Sequence, residues 1–94
     1  MMEKEKTIEI IKNYLISKNI KKASLFGSFV REDFGPKSDI DILFEPFPHM
    51  NLFDLIHMED DLKKRTKRKI DLMEYDGIKL AIRDEVLAYA VPIL

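Results

Sequence analysis

Residues 39–44, Asp-Ile-Asp-Ile-Leu-Phe, constrain this chain more than any other segment. The run alternates at first and then becomes wholly apolar before Pro46 and Pro48 close it, the pattern of a mostly buried strand. A strand of that kind needs paired neighbours, and two other segments supply them. Residues 22–26 read as a short strand that Gly27-Ser28 breaks. Residues 69–74 alternate again, with Ile70 and Leu72 on one face and Asp71 and Met73 on the other.

Between and around these strands the apolar spacing turns helical. Ile8, Ile11 and Leu15, with Tyr14 nearby, predict a helix over about 3–18. Ser28 can cap a short helix through about Asp33, and Gly35-Pro36 marks a turn. Asn51 can cap a helix through about Lys64, its inner face carrying Leu52, Leu55, Ile56, Glu59 and Leu62. A last helix over 79–90 can bury Leu80, Ile82, Val86, Leu87 and Ala90 before Pro92 stops it. The connection between the first two strands is short for a crossover, which predicts an antiparallel pair. A whole helix separates the second and third, which predicts a parallel pair. The expected architecture is an α+β two-layer domain over 1–94, a small mixed sheet of three or four strands covered by helices.

With 46% hydrophobic and 35% charged residues, the composition is that of a globular domain rather than a disordered chain. A core this small leaves room for stabilisation by a second copy, so a homo-oligomer is allowed. Sixteen basic against seventeen acidic residues give a net charge of −1, so there is no general cation excess to drive direct nucleic-acid binding. Lys63 to Lys69 nevertheless hold six cations in seven residues, read as a solvated helix end that complements the helix C-terminus. No cysteine is present, which removes disulfides, thiol chemistry and cysteine zinc sites. No apolar run approaches the roughly 20 residues that span a bilayer, and the expected location is cytoplasmic. His49 and His57 lack partners at metal-ligand spacing; Tyr14, Tyr75 and Tyr89 are expected at the rim of the core, although each could stack on a base or accept a transferred nucleotide. Phe47, Pro48, Met50 and Phe53 form an apolar patch that suits either the core or a docking surface.

On a strand, Asp39 and Asp41 share the face opposite Ile40 and Ile42. Two carboxylates side by side repel unless a cation or strong donors lie between them. Magnesium fits, because it takes oxygen ligands and is held by one or two carboxylates together with substrate phosphates. Asp71 on the neighbouring strand supplies a third carboxylate. Two ions about 3.5–4 Å apart would stabilise the attacking and leaving oxygens of a displacement at phosphorus. Any one of these aspartates alone reads as a strand-end residue; the three together read as a metal site. Gly27-Ser28, where a strand would enter a helix, leaves backbone N–H groups free for phosphate oxygens.

Gly27-Ser28, ten intervening residues, Asp39-Ile40-Asp41 and a later-strand Asp71 form a pattern that resembles the minimal nucleotidyltransferases of the DNA polymerase beta-like superfamily. The likeness runs from Leu25 almost to Leu94, through LFGSFVRE, SDIDILFE, KIDLME and IRDEVLAYAVPIL. It implies the nucleotidyltransferase fold, ATP as donor and Mg2+ as cofactor. By position it makes Asp39 and Asp41 metal ligands and Asp71 the third catalytic carboxylate. Gly27 and Ser28 become phosphate contacts, and Arg31 a contact to the triphosphate. It further implies an antitoxin that moves AMP from ATP onto a tyrosine of a HEPN-domain toxin. A noncatalytic antitoxin that neutralises its partner by covering it, and transfer to a small molecule, are the alternatives. Phe29 and Glu32 stand where the family often has arginine and glycine, removing one phosphate contact and constraining the loop.

Overall fold

The computed structural model describes residues 4–27, 39–78 and 80–94. Helix α1 (Lys4–Ser17) leads into strand β1 (Ala23–Phe26), followed by β2 (Ile40–Phe44), α2 (Leu52–Thr66) and β3 (Ile70–Glu74). A 3-10 turn (Tyr75–Gly77), α3 (Leu80–Tyr89) and β4 (Val91–Pro92) complete the described chain. The expected short helix from Ser28 and the Gly35-Pro36 turn lie outside the described residues.

The sheet runs β3-β2-β1-β4. As expected, β1 and β2 are antiparallel and β2 and β3 parallel. Leu25 pairs with Ile42, and Ile40 with Ile70, so one face gathers Ala23, Leu25, Ile40, Ile42, Phe44 and Ile70. That face packs with Ile11, Tyr14 and Leu15 of α1 and Met58 and Leu62 of α2 into the core. Strand alternation then forces Ser24, Phe26, Asp41 and Asp71 onto the other face.

Strand β4 is an addition to the three-strand pattern. Pro92 does not merely end a helix; it sits opposite Ser24 in an edge strand, where the missing N–H costs no sheet bond. The N–H groups of Ile93 and Leu94 then donate to the Ala23 carbonyl.

Helix α2 is capped as its sequence predicts. The Asn51 side chain accepts from the Asp54 N–H, and the Asp54 carboxylate accepts from the Asn51 N–H. Its inner stripe is rotated from the expected one, running through Leu55, Met58, Leu62 and Thr66. Leu52 and Ile56 are 66% and 50% exposed. Glu59 instead accepts from the Leu72 N–H at 3.3 Å, satisfying a donor on edge strand β3 that the sheet leaves open. The basic run is not wholly solvated either. Lys67 closes the helix in a left-handed conformation, its N–H donating to the Lys63 carbonyl, and Arg68 beyond it is buried.

Tyr14 joins the two helices. Its hydroxyl donates to Asp61 at 2.6 Å, and the Arg65 guanidinium lies 4.8 Å from its ring centroid. Burial, reinforced by the bond to the Asp61 carboxylate, pushes the Tyr14 phenol well above its ordinary range. The same hydrogen bond holds Asp61 below the usual carboxylate value. The folded state thus grips the phenolic proton more tightly than the unfolded chain. This stabilisation is complete below about pH 10 and is lost as pH rises through the folded value. Tyr14→Phe should lower stability by about 1 kcal/mol at neutral pH. Urea melts of both proteins should converge above about pH 10, where the wild-type phenol is costly to keep neutral. A constant gap across that range would sink this account.

Candidate active site

The carboxylates come from the register of β2 and β3. Asp41 stands directly opposite Asp71 in the parallel ladder, on the face turned away from the core. Asp41 also stands opposite Phe26, the last residue of β1, so Gly27 follows at the same end of the sheet. Gly27 has φ +76°, and a Cβ placed on it would overlap the Asp41 Oδ2. The backbone therefore lies against that carboxylate as only glycine allows.

Asp39 immediately precedes β2 and shares the Asp41 face by alternation. The Ile40 N–H donates to the Lys69 carbonyl at 2.9 Å, which draws Lys69 alongside. The Lys69 ammonium stands 3.9 Å from the Asp39 Oδ2. Both groups are substantially exposed, so this pair contributes little to stability. Its significance is positional, because a cation already lies beside one member of the acidic set. Lys69 was legible in the sequence only as part of a basic run and as the first residue of a strand. Its role depends on register, which pairs the residue before Ile40 with the one before Ile70.

The structure thus brings Gly27, Asp39, Asp41 and Asp71 to one end of one sheet face. Ser28 and Arg31, and with them Phe29 and Glu32, lie outside the described residues. As arranged, no three His, Cys, Asp or Glu side chains among the described residues form a ready metal cage. The donor set still suits a hard divalent cation, since it consists of carboxylate oxygens with a close glycine backbone and a lysine ammonium at its edge.

The aromatic and histidine candidates separate. Tyr14 packs on the core side of the sheet, away from the carboxylates, and is no base platform for them. Tyr75 follows β3 and its hydroxyl lies 2.7 Å from the Ser24 hydroxyl. Tyr89 is 74% exposed rather than packed at the rim. His49 and His57 are both exposed. The apolar patch divides as well: Phe47 and Met50 pack on the core, whereas Phe53 is exposed. No helix among the described residues is long and apolar enough to cross a membrane.

Comparison with known proteins places this geometry in context. The family model described as "Polymerase beta, Nucleotidyltransferase" matches residues 5–94. A relative from Methanocaldococcus jannaschii, "Putative protein adenylyltransferase MJ0435", is 34% identical over 80 residues, covering 85% of this chain and 86% of its own. A solved "putative minimal nucleotidyltransferase" superposes with TM-score 0.81 at 22% identity, over 98% of this chain and 97% of that one. A chain from the complex of a tri-AMPylated HEPN toxin of Shewanella oneidensis with MNT antitoxin superposes with TM-score 0.76 at 15% identity. That match covers 98% of this chain and 72% of the other. The two solved structures carry the fold: helices against a four-stranded open mixed sheet.

Proposed function

The chain belongs to the polymerase beta nucleotidyltransferase family, and from that premise we propose that it transfers AMP from ATP to a tyrosine hydroxyl of a partner protein, a HEPN-type toxin that it thereby neutralises. The observation that carries the reading is the Asp41–Asp71 pair, in register on the open face, with Gly27 pressed against Asp41. The adenylyltransferase relative supports AMP as the group moved, and the AMPylated toxin complex supports the class of acceptor.

In this reading Asp39, Asp41 and Asp71 hold Mg2+. The bound metal supplies charge neutralisation at the transferring phosphoryl group and acidifies the attacking hydroxyl. Gly27, with Ser28 and Arg31, positions the triphosphate. The tyrosine oxygen attacks the α-phosphorus, Asp71 takes the hydroxyl proton, and the bond from the α-phosphorus to its bridging oxygen breaks to release pyrophosphate. Lys69, 3.9 Å from the Asp39 Oδ2, would place a positive charge at the edge of the set, where the phosphates are negative.

The test combines purified protein, α-labelled ATP, MgCl2 and the product of the adjacent gene. Label should appear on the partner, vanish with EDTA, and vanish when the acceptor tyrosine is replaced by Phe. An unlabelled partner, neutralised equally well by the Asp39→Asn, Asp41→Asn double variant, would establish the noncatalytic reading instead.

A further inference from the structure

A second polar cleft lies on the same sheet face as the carboxylates, farther along β1. It has a volume of about 340 Å³ and opens between β1, the 3-10 turn and α3, with Lys22, Ser24, Tyr75 and Arg83 supplying its polar groups. Ser24 pairs with Leu43, whereas Asp41 pairs with Phe26. The cleft therefore begins two strand residues, roughly 7 Å, from the Asp41 position. Strand alternation puts Ser24 on the Asp41 side of the sheet.

We propose that this cleft binds an oxyanion, a phosphate or a carboxylate carried on an apolar or planar body.

Four features carry it. Arg83 lines the cleft and its Nε is buried with no hydrogen-bond partner among the described residues; buried donors left unpaired are few in native proteins. Lys22 lies 4.8 Å from the centroid of the Tyr75 ring, which directs a second positive charge to the same wall. Among the described residues, neither cation is held by a carboxylate. Asp76, the acid of the cleft, is exposed and leaves the two cations in excess.

The hydroxyls add a donor. Ser24 and Tyr75 are 2.7 Å apart, and either can donate to the other. Together they hold two protons, of which their mutual bond uses one, so the other is available to a ligand. A guanidinium fork, an ammonium and a hydroxyl are the groups that recognise phosphate and carboxylate oxygens. The remaining wall, formed by Leu87, Ala90 and Pro92, offers apolar surface beyond the anion. An inorganic ion would leave that wall uncovered, which is why the ligand carries a body.

The test follows the Arg83 Nε–H resonance in 15N-labelled protein at constant ionic strength. The probes are inorganic phosphate, AMP and benzoate, each titrated into the millimolar range. A saturable shift of that resonance, strongest with AMP or benzoate, is the expected result; AMP alone identifies a phosphate-bearing ligand and benzoate alone a carboxylate. Arg83→Lys keeps the charge but loses the fork and, with binding read from the Ser24 and Tyr75 backbone amides, should weaken it about tenfold. Lys22→Gln, at an exposed position that the core does not need, should weaken it several-fold. The proposal is overturned if no probe gives a saturable shift. Unaltered affinity in both variants, or shifts confined to Gly27, Asp41 and Asp71, also overturns it. None of these readouts requires AMP transfer, so failure here leaves the transferase reading untouched.

Discussion

Asp41→Asn should reduce AMP transfer by about a thousandfold or more while the chain still folds cooperatively. Asp41 and Asp71 are direct partners across the parallel ladder, in strands that lie about 4.8 Å apart. Asn keeps the size of Asp and one of its acceptor oxygens but removes a carboxylate from the proposed metal set, and a thousandfold loss corresponds to about 4 kcal/mol of transition-state stabilisation. A purely structural aspartate would behave in the opposite way, losing stability and sparing activity. Turnover with labelled ATP and a thermal melt on the same preparation therefore decide the matter. Activity within tenfold of wild type, with the fold intact, would remove Asp41 from the site.

Local periodicity made most of the secondary structure legible. The period-2 pattern of Asp39 to Phe44 and the helical spacing of Ile11, Tyr14 and Leu15 each point to one element type, and both are realised. The parallel β2–β3 pair followed from the helix between them. What escaped was set by tertiary contact. On α2, Leu52 and Ile56 make as good an apolar stripe as Leu55 and Met58, and only the angle at which the helix meets the sheet selects the second. Strand β4 has two residues, one of them proline, and exists because β1 offers it an open edge.

The site divides along the same line. Alternation alone placed Asp41 and Asp71 on polar faces of their strands, but it could not align the strands. Register made the two aspartates partners and put Lys69 beside Asp39. Ser24 meets Tyr75 and Arg83 across 51 and more positions of sequence, and no local pattern announces such a meeting. The consequence is mechanistic as well as descriptive. The lysine beside the acidic set immediately precedes the strand that carries Asp71, so any shift in β3 register would disturb the third carboxylate and its neighbouring cation together.

Gly27→Ala should lower both activity and stability. The backbone at Gly27 sits at φ +76°, a conformation that costs an L-residue about 1–2 kcal/mol. The added methyl would also occupy the space of the Asp41 Oδ2, so the carboxylate must swing away or the turn must open. Either response displaces a reacting group, and a misplacement of about 1 Å can cost a hundredfold in rate. The two contributions separate in a double-mutant cycle with Asp41→Ala, which removes the oxygen but leaves the backbone conformation. In the Asp41→Ala background the stability penalty of Gly27→Ala should fall to the backbone cost alone, about 1–2 kcal/mol. In the wild-type background it should be larger, and that difference measures how tightly the turn presses on the carboxylate. Equal penalties in both backgrounds would mean that Gly27 serves only its own backbone conformation, and that the carboxylate beside it is held in place by other groups.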